Sequence, residues 1–362
     1  MTSELFRHLP EETLTRIPNR PLGRFSDFVV AELPASLTAI RKGRSDYSNL
    51  NELSHELIEG LTPDVMATAT ATQDNADLAL LDLLIMDNAL VRTTGPNPKL
   101  TALVDSLAAA NDRPPIITYE DVVLTNPLYT DCRLHTNEEI GLSERDFYIA
   151  HREIEGDLDV LIDTSKEVIY ILKQDDLNTI GNVAEMLHTA GLRWVDINAR
   201  MELLWKAMPK EHFITIRDYF LSHPIRTTPD GEKYKGPSGA FTAKIPVFEI
   251  LFAGETMKPE QFHYFKDNEM YFPRKGREEI QDALQYLEEG STLTQLASLL
   301  GNPPILKTEL DQFDHYLNQF RGMHYAGIKH QIPGAVEGNV SGSAGEVKVG
   351  QFLKGRMIKH TS

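Results

Sequence analysis

The chain has 362 residues, 41% of them hydrophobic, with 36 Lys and Arg against 53 Asp and Glu for a formal charge of -17. That size allows one large domain or two ordinary ones with a sizeable core, and the acidity disfavours nucleic acid or an anionic membrane as partner. The single cysteine, Cys132, excludes an internal disulfide framework, a Cys-rich zinc site and a multi-thiolate iron–sulfur cluster, which fits a reducing cytoplasm.

Residues 1–112 read as a helical N-terminal region. An irregular Pro-containing leader, MTSELFRHLPEETLTRIPNRP, lacks the basic-then-apolar order of a signal peptide. Helices are expected near Leu50–Gly60, Asn75–Val91 and Leu100–Ala110. The apolar run Leu78–Val91 is interrupted by Asp82 and Asp87, so it reads as a buried helix and not a membrane span. Asn111-Asp-Arg-Pro-Pro115 then stops the preceding helix and marks a boundary, with residues 113–362 as a second domain.

After that hinge, Ile116–Leu124 is apolar and β-branched, and periodicity does not separate a short strand from a buried helix. Ser143 opens a long helix to Leu172, with Ser143 and Asp146 spaced much like a capping box. Further helices are expected at Leu177–Ala190, Val195–Met208, Pro209–Leu221 and, as a pair, over Arg277–Leu300. The last, Thr308–Ile332, has Thr308 as N-cap and is ended by Pro333-Gly334. There is no internal repeat, and the fold class is all-α.

Chemistry enters through histidines placed among apolar positions. Leu310, Phe313, Leu317, Phe320, His324 and Ile328 recur at helical spacing, which puts His324 on the buried face of the last helix. Phe147, His151, Ile154, Leu158 and Leu161 do the same on the helix from Ser143. Two inward imidazoles on two long helices suit one metal ligand and one hydrogen-bonding group across a site; the plain alternative is two unrelated core histidines. No H-E-x-x-H or facial triad is present. A cofactor that brings most of its own ligands, such as haem, needs only one axial histidine.

Arg217 lies four residues after Phe213, so its guanidinium could be directed inward to a substrate carboxylate or to one of the many acidic side chains. Two turns, Gly236-Pro-Ser-Gly239 and Ser341-Gly-Ser-Ala-Gly345, permit close backbone approach to a ligand, and neither carries a phosphate-binding pattern. Trp194 and Trp205 read as structural.

Five stretches, in order, resemble the haem-dependent dioxygenase superfamily of tryptophan 2,3-dioxygenase and indoleamine 2,3-dioxygenase. The resemblance covers about Pro114 to Lys354. Phe147-Tyr-Ile-Ala-His151-Arg-Glu-Ile-Glu155 resembles the F-x-x-x-H-Q-x-x-E segment, whose histidine lies distal to haem. Phe213-Ile-Thr-Ile-Arg217-Asp-Tyr219 and Pro237-Ser238-Gly239 resemble the segments whose arginine holds the substrate carboxylate. Arg321-Gly-Met-His324 resembles the R-x-x-H segment carrying the proximal iron ligand. Gly342-Ser343-Ala344-Gly345 with Phe352-Leu-Lys354 resembles the G-T-G-G loop, and Pro114-Pro-Ile-Ile-Thr-Tyr119 the P-P-I-L-x-Y segment of the distal pocket.

The resemblance implies a helical haem domain with non-covalent haem b, His324 as proximal ligand, and O2 and an aromatic amino acid as small-molecule partners. His151 would act on the distal side. Arg217 would clamp a carboxylate and Ser343 an ammonium, with Tyr119, Phe147, Tyr148, Phe213, Phe220 and Ser238 around the substrate. Arg321 would meet a haem propionate or form an ion pair, and Gly342 and Gly345 would approach the cofactor. Departures bear on the substrate: residues 222–236 form a longer connection than in tryptophan dioxygenase, and Ala344 and Glu346 stand where the dioxygenases have Gly and Ser or Thr. Other members of the superfamily are monooxygenases or rearrangement enzymes of specialised metabolism. Those attaching haem through H-x-x-x-C differ, since Ile328 stands at that spacing after His324. A haem sensor without turnover is a third reading. The family contains monomers and tetramers, which leaves a homo-oligomer open.

Overall fold

The computed structural model describes residues 19–128, 131–174, 177–221, 226–228, 230–231, 234, 242–253 and 266–331, with the side chains of 177, 220 and 221 excepted. Among these residues the chain is all-helical, with no β-strand. No described helix is long and apolar enough to cross a membrane. The first turns, α1 (Arg24–Asp27), pass through a π-helical segment, Phe28–Glu32, into α2 (Leu33–Arg41), so helix begins just after the Pro-containing leader and ahead of the first helix expected near Leu50. Then come α3 (Ser48–Glu59), α4 (Pro63–Ala69), α5 (Gln73–Thr93) and α6 (Pro98–Ala110), with Thr72 and Asn97 capping the last two through side-chain oxygens. Of the ambiguous stretch after the hinge, Ile116–Leu124, residues 116–118 are irregular and the rest is helical, leading into a π-helical segment at Glu120–Thr125.

The helix α5 is buried all round from Leu78 to Leu90, as expected of a run with no polar face. The two aspartates within that buried run are each given a cation. Asp82 and Arg133 are both fully buried, with Arg133 Nε 2.8 Å and a terminal nitrogen 3.3 Å from the two carboxylate oxygens. Asp87 pairs at 3.1 Å with Arg226, which also bonds Asp105 at 3.1 Å and the Pro115 carbonyl. Arg226 lies in the long connection after Arg217, and this pairing pins that connection to α5 and α6.

Burial outweighs Arg226 at Asp87 and pushes its carboxyl up to about 6. The ionised form is therefore penalised in the folded chain above that pH, and the penalty is relieved as pH falls through about 6 toward the ordinary carboxylate value. In Asp87→Asn this pH dependence, on the order of 3 kcal/mol between pH 4 and neutral pH, is expected to disappear. Denaturant melts at pH 4.5 and 7.5 check this: the difference in stability between variant and wild type should shift in favour of the Asn variant at the higher pH, whatever the loss of the Arg226 pair costs at both.

Three of the four helices of the candidate site follow: α7 (Glu138–Leu172), α8 (Ile180–Ala207) and α9 (Lys210–Leu221). The helix α7 starts five residues before Ser143, and Ser143 is not its cap. The buried Glu144 carboxylate accepts from the backbone N–H groups of His135 (3.0 Å) and Thr136 (2.9 Å), the Thr136 hydroxyl and the Tyr148 hydroxyl (2.7 Å). That clamp ties the incoming chain to the helix and allows the earlier start. Gly141 is needed there, because a Cβ would stand 2.8 Å from the Thr136 carbonyl oxygen.

Residues 180–207 form one helix where two were expected. Trp194 at the middle is fully buried, and α8 lies between α7 and the last helix, so tertiary packing carries it through Gly191. The chain continues through α10 (Lys244–Ala253), α11 (Arg274–Glu288), α12 (Leu293–Leu299) and α13 (Pro304–Gln331). Thr308 is inside α13, its hydroxyl bonded to the Pro304 carbonyl at 2.9 Å, because Pro304 already supplies a favourable first position.

Two hydrophobic clusters make up the core. The first joins α1–α6 and the 116–123 segment to Tyr148 and Ala150 of α7 and to Leu204, Met208, Ile216 and Tyr219. It crosses position 112 without interruption, and Arg113 in the hinge is buried against Asp121. The second joins the rest of α7 and most of α8 to α10–α13. The long helices α7 and α8 therefore belong to both.

Candidate functional site

Of the residues singled out in the sequence, Phe147 and His151 of α7, Phe213 of α9 and His324 of α13 are linked by ring contacts that pass through α8. His151 is buried, and its Nδ1 lies 2.8 Å from the carbonyl oxygen of Phe147, one turn earlier on α7. A carbonyl only accepts, so Nδ1 carries the proton and a neutral ring presents its lone pair at Nε2. Burial lowers the pKa of the ring, with the carbonyl bond opposing, so the imidazole is neutral at pH 7.

Phe147 stacks obliquely on His151, with ring centroids 4.2 Å apart, and contacts Phe213 of α9 at 6.0 Å. Phe213 meets Trp205 of α8 edge-to-face at 5.5 Å, and Trp205 meets His324 of α13 in the same way at 6.1 Å. Phe320, one turn earlier on α13, also contacts His324, with ring centroids 6.1 Å apart. A continuous aromatic path thus links His151 to His324, through residues of four helices. The sequence reading had no signal for Trp205: nothing in its neighbours distinguishes it from a structural tryptophan.

His324 is half-buried, where the spacing placed it on the fully buried face. The buried stripe of α13 runs through Leu310, Phe313 and Leu317 and then continues through Arg321 and Gly327. Gly327 is the reason: its α-carbon lies so close to the Trp205 indole that an added Cβ would stand 2.4 Å from the ring. A Gly327→Ala variant should therefore lose about 1–3 kcal/mol despite the better helix propensity of Ala. Thermal melts and Trp fluorescence check this, since the indole must move off α13; an unchanged emission spectrum and melting temperature would refute the close packing.

Arg217 stands one turn beyond Phe213 on α9, half-buried, and burial lowers its pKa. Ser143 Oγ and His212 Nδ1 lie 2.8 Å apart on the adjoining part of the α7–α9 seam. Tyr119 is buried, its ring edge-on to His151 at 6.3 Å and its hydroxyl donating to Glu155 at 2.8 Å. Tyr148 is fully buried and turned to the Glu144 clamp, touching Phe147 at 6.2 Å. Arg321 forms a buried ion pair with Glu249 of α10, at 2.6 Å. Phe220 lies in α9, and its side chain is outside the described residues, as are Ser238, Gly342, Ser343 and Gly345.

No protein-family model matches the chain, and no curated protein is significantly similar to it.

Proposed function

We propose that this protein is a haem-dependent oxygenase acting on an aromatic, tryptophan-like amino acid. The observation that carries the reading is the aromatic path Phe147–Phe213–Trp205 joining two histidines on different helices, with Arg217 one turn from Phe213. His324 fits a single axial imidazole: it is half-buried, its Nδ1 is shielded, and Trp205 and Phe320 both contact the ring. Bound haem would supply an iron centre able to activate O2.

The other residues would bind and orient. The neutral His151 would accept an N–H of the substrate ring at Nε2, the nitrogen left as acceptor by its bond to the Phe147 carbonyl. Phe147 and Phe213 would stack on the aromatic group, and Tyr119 would offer a ring edge. Arg217 would hold the α-carboxylate through its planar fork, and Ser343 the ammonium. Burial of Arg217 suits an anion partner, because a desolvated guanidinium gains more from one. Arg321 is left out of this assignment, since Glu249 already neutralises it.

The test is an absorption spectrum of the purified, haem-supplied, dithionite-reduced protein with and without a panel of aromatic amino acids, followed by exposure to O2 and product mass. A Soret shift with one amino acid and a product two oxygen atoms heavier are expected. A one-oxygen product would make the enzyme a monooxygenase, and failure to bind haem would overturn the proposal.

A further inference from the structure

Glu155 sits one turn beyond His151 on α7 and is 3% exposed. Its Oε1 accepts two hydroxyls, from Tyr119 at 2.8 Å and from Thr242, just ahead of α10. Those donors lie 36 residues before and 87 residues after it in the chain, so the bonds tie three distant segments together. No cation among the described residues makes an ion pair with this carboxylate: Lys244 pairs with Asp159, and Arg152 donates to the carbonyls of Val123, Leu124 and Asn126. Desolvation raises its pKa, with the two hydroxyls pulling the other way. A buried carboxylate with no ion-pair partner carries a desolvation cost, and its hydrogen bonds to the two hydroxyls hold it in place.

We propose that Glu155 is the positioning residue of the His151 site: it fixes the Tyr119 ring against His151 and anchors the chain entering α10 to the same turn of α7. Its effect on Tyr119 is directional. The phenol hydroxyl is taken up by Glu155, so what Tyr119 brings to His151 is its ring, at 72° and 6.3 Å between centroids. The ligand group that packs there is accordingly an apolar part of an aromatic ring, a specificity that rests on the reading of this site as the substrate pocket. Thr242 does the corresponding work for the chain that enters α10.

Hydrogen–deuterium exchange on the full chain, with thermal melts, compares wild type, Glu155→Leu, Glu155→Gln and Tyr119→Phe. Glu155→Leu leaves the Tyr119 and Thr242 hydroxyls without their acceptor, so it should speed exchange in 113–125 and in 242–253 by roughly tenfold or more, the scale set by losing hydrogen bonds to a charged acceptor, and lower the melting temperature. Glu155→Gln keeps an acceptor oxygen and should rescue both segments. Tyr119→Phe removes one donor and should loosen 113–125 while 242–253 stays protected, which keeps the proposal testable if the Leu variant does not fold. Unchanged exchange in 113–125 in Tyr119→Phe and in both segments in any folded Leu variant would overturn it, as would loosening spread over the whole chain. In haem-loaded protein the Soret response to L-tryptophan should weaken roughly tenfold in Glu155→Leu and recover in Glu155→Gln. A wild type with no such response would sink the substrate-pocket reading, while the exchange comparison would still decide what Glu155 does.

Discussion

Protein with alanine in place of His324, supplied with haem, is expected to lose the axial imidazole signature in its reduced spectrum. Haem affinity should fall by more than the roughly 10–100-fold that accompanies loss of an outer-shell partner, because here the ligand itself is removed. Free imidazole at millimolar concentration should restore the signature, since His324 is only half-buried and its removal leaves a space beside Trp205 and Phe320 that a small ring can enter. The fold should survive: no described helix boundary or core cluster is built on this side chain. His151→Ala is the contrast, expected to keep the axial signature and to lose the amino-acid-induced shift. If His324→Ala binds haem with an unaltered axial spectrum, the proximal assignment is wrong.

Arg133→Ala should be among the most damaging single substitutions outside that site, costing about 3–5 kcal/mol, as breaking a fully buried ion pair does. Arg133 is wholly enclosed and holds Asp82 on α5, the Asp131 carbonyl at 2.9 Å and the Asn19 carbonyl at 2.8 Å. Asp82 in turn takes the Ser26 hydroxyl at 2.6 Å. Removing the guanidinium strands a carboxylate in the middle of the first core and frees the 131–137 segment that leads into α7. Replacing Asp82 as well, in Asp82→Leu with Arg133→Met, should recover most of the loss, because the remaining unpaired charge is gone. Denaturant melts of the two variants decide the matter: equal stability for the single and double replacements would mean that the pair itself contributes little.

Several parts of the candidate site were legible in the sequence because they depend on local geometry. Phe147 and His151 four residues apart on one helix, and Phe213 and Arg217 four apart on another, must share a face once those segments are helical. The all-α class follows from the same periodicity. What the pattern did not carry was the partner of each face. Arg321 meets Glu249, a residue 72 positions away, and nothing local to either distinguishes that pair from any other among so many charges. Glu155 and Tyr119 were both visible in motifs, yet their bond depends on where the segment after the hinge docks.

Helix ends show the same division. Ser143 and Thr308 have the right chemistry for N-caps, and both helices begin earlier, because Glu144 clamps residues 135–136 and Pro304 starts α13. The sequence alone determined the all-α class, that α5 is buried on every side, and that Phe147 shares a helical face with His151 and Phe213 with Arg217. Those properties depend on spacing and solvation along one segment. Only the tertiary structure decided that α7 and α8 span both cores, that Trp205 lies between Phe213 and His324, and that Glu155 binds Tyr119 and Thr242. Each of these is a contact between segments distant in the chain, chosen by shape and charge complementarity that no single stretch encodes.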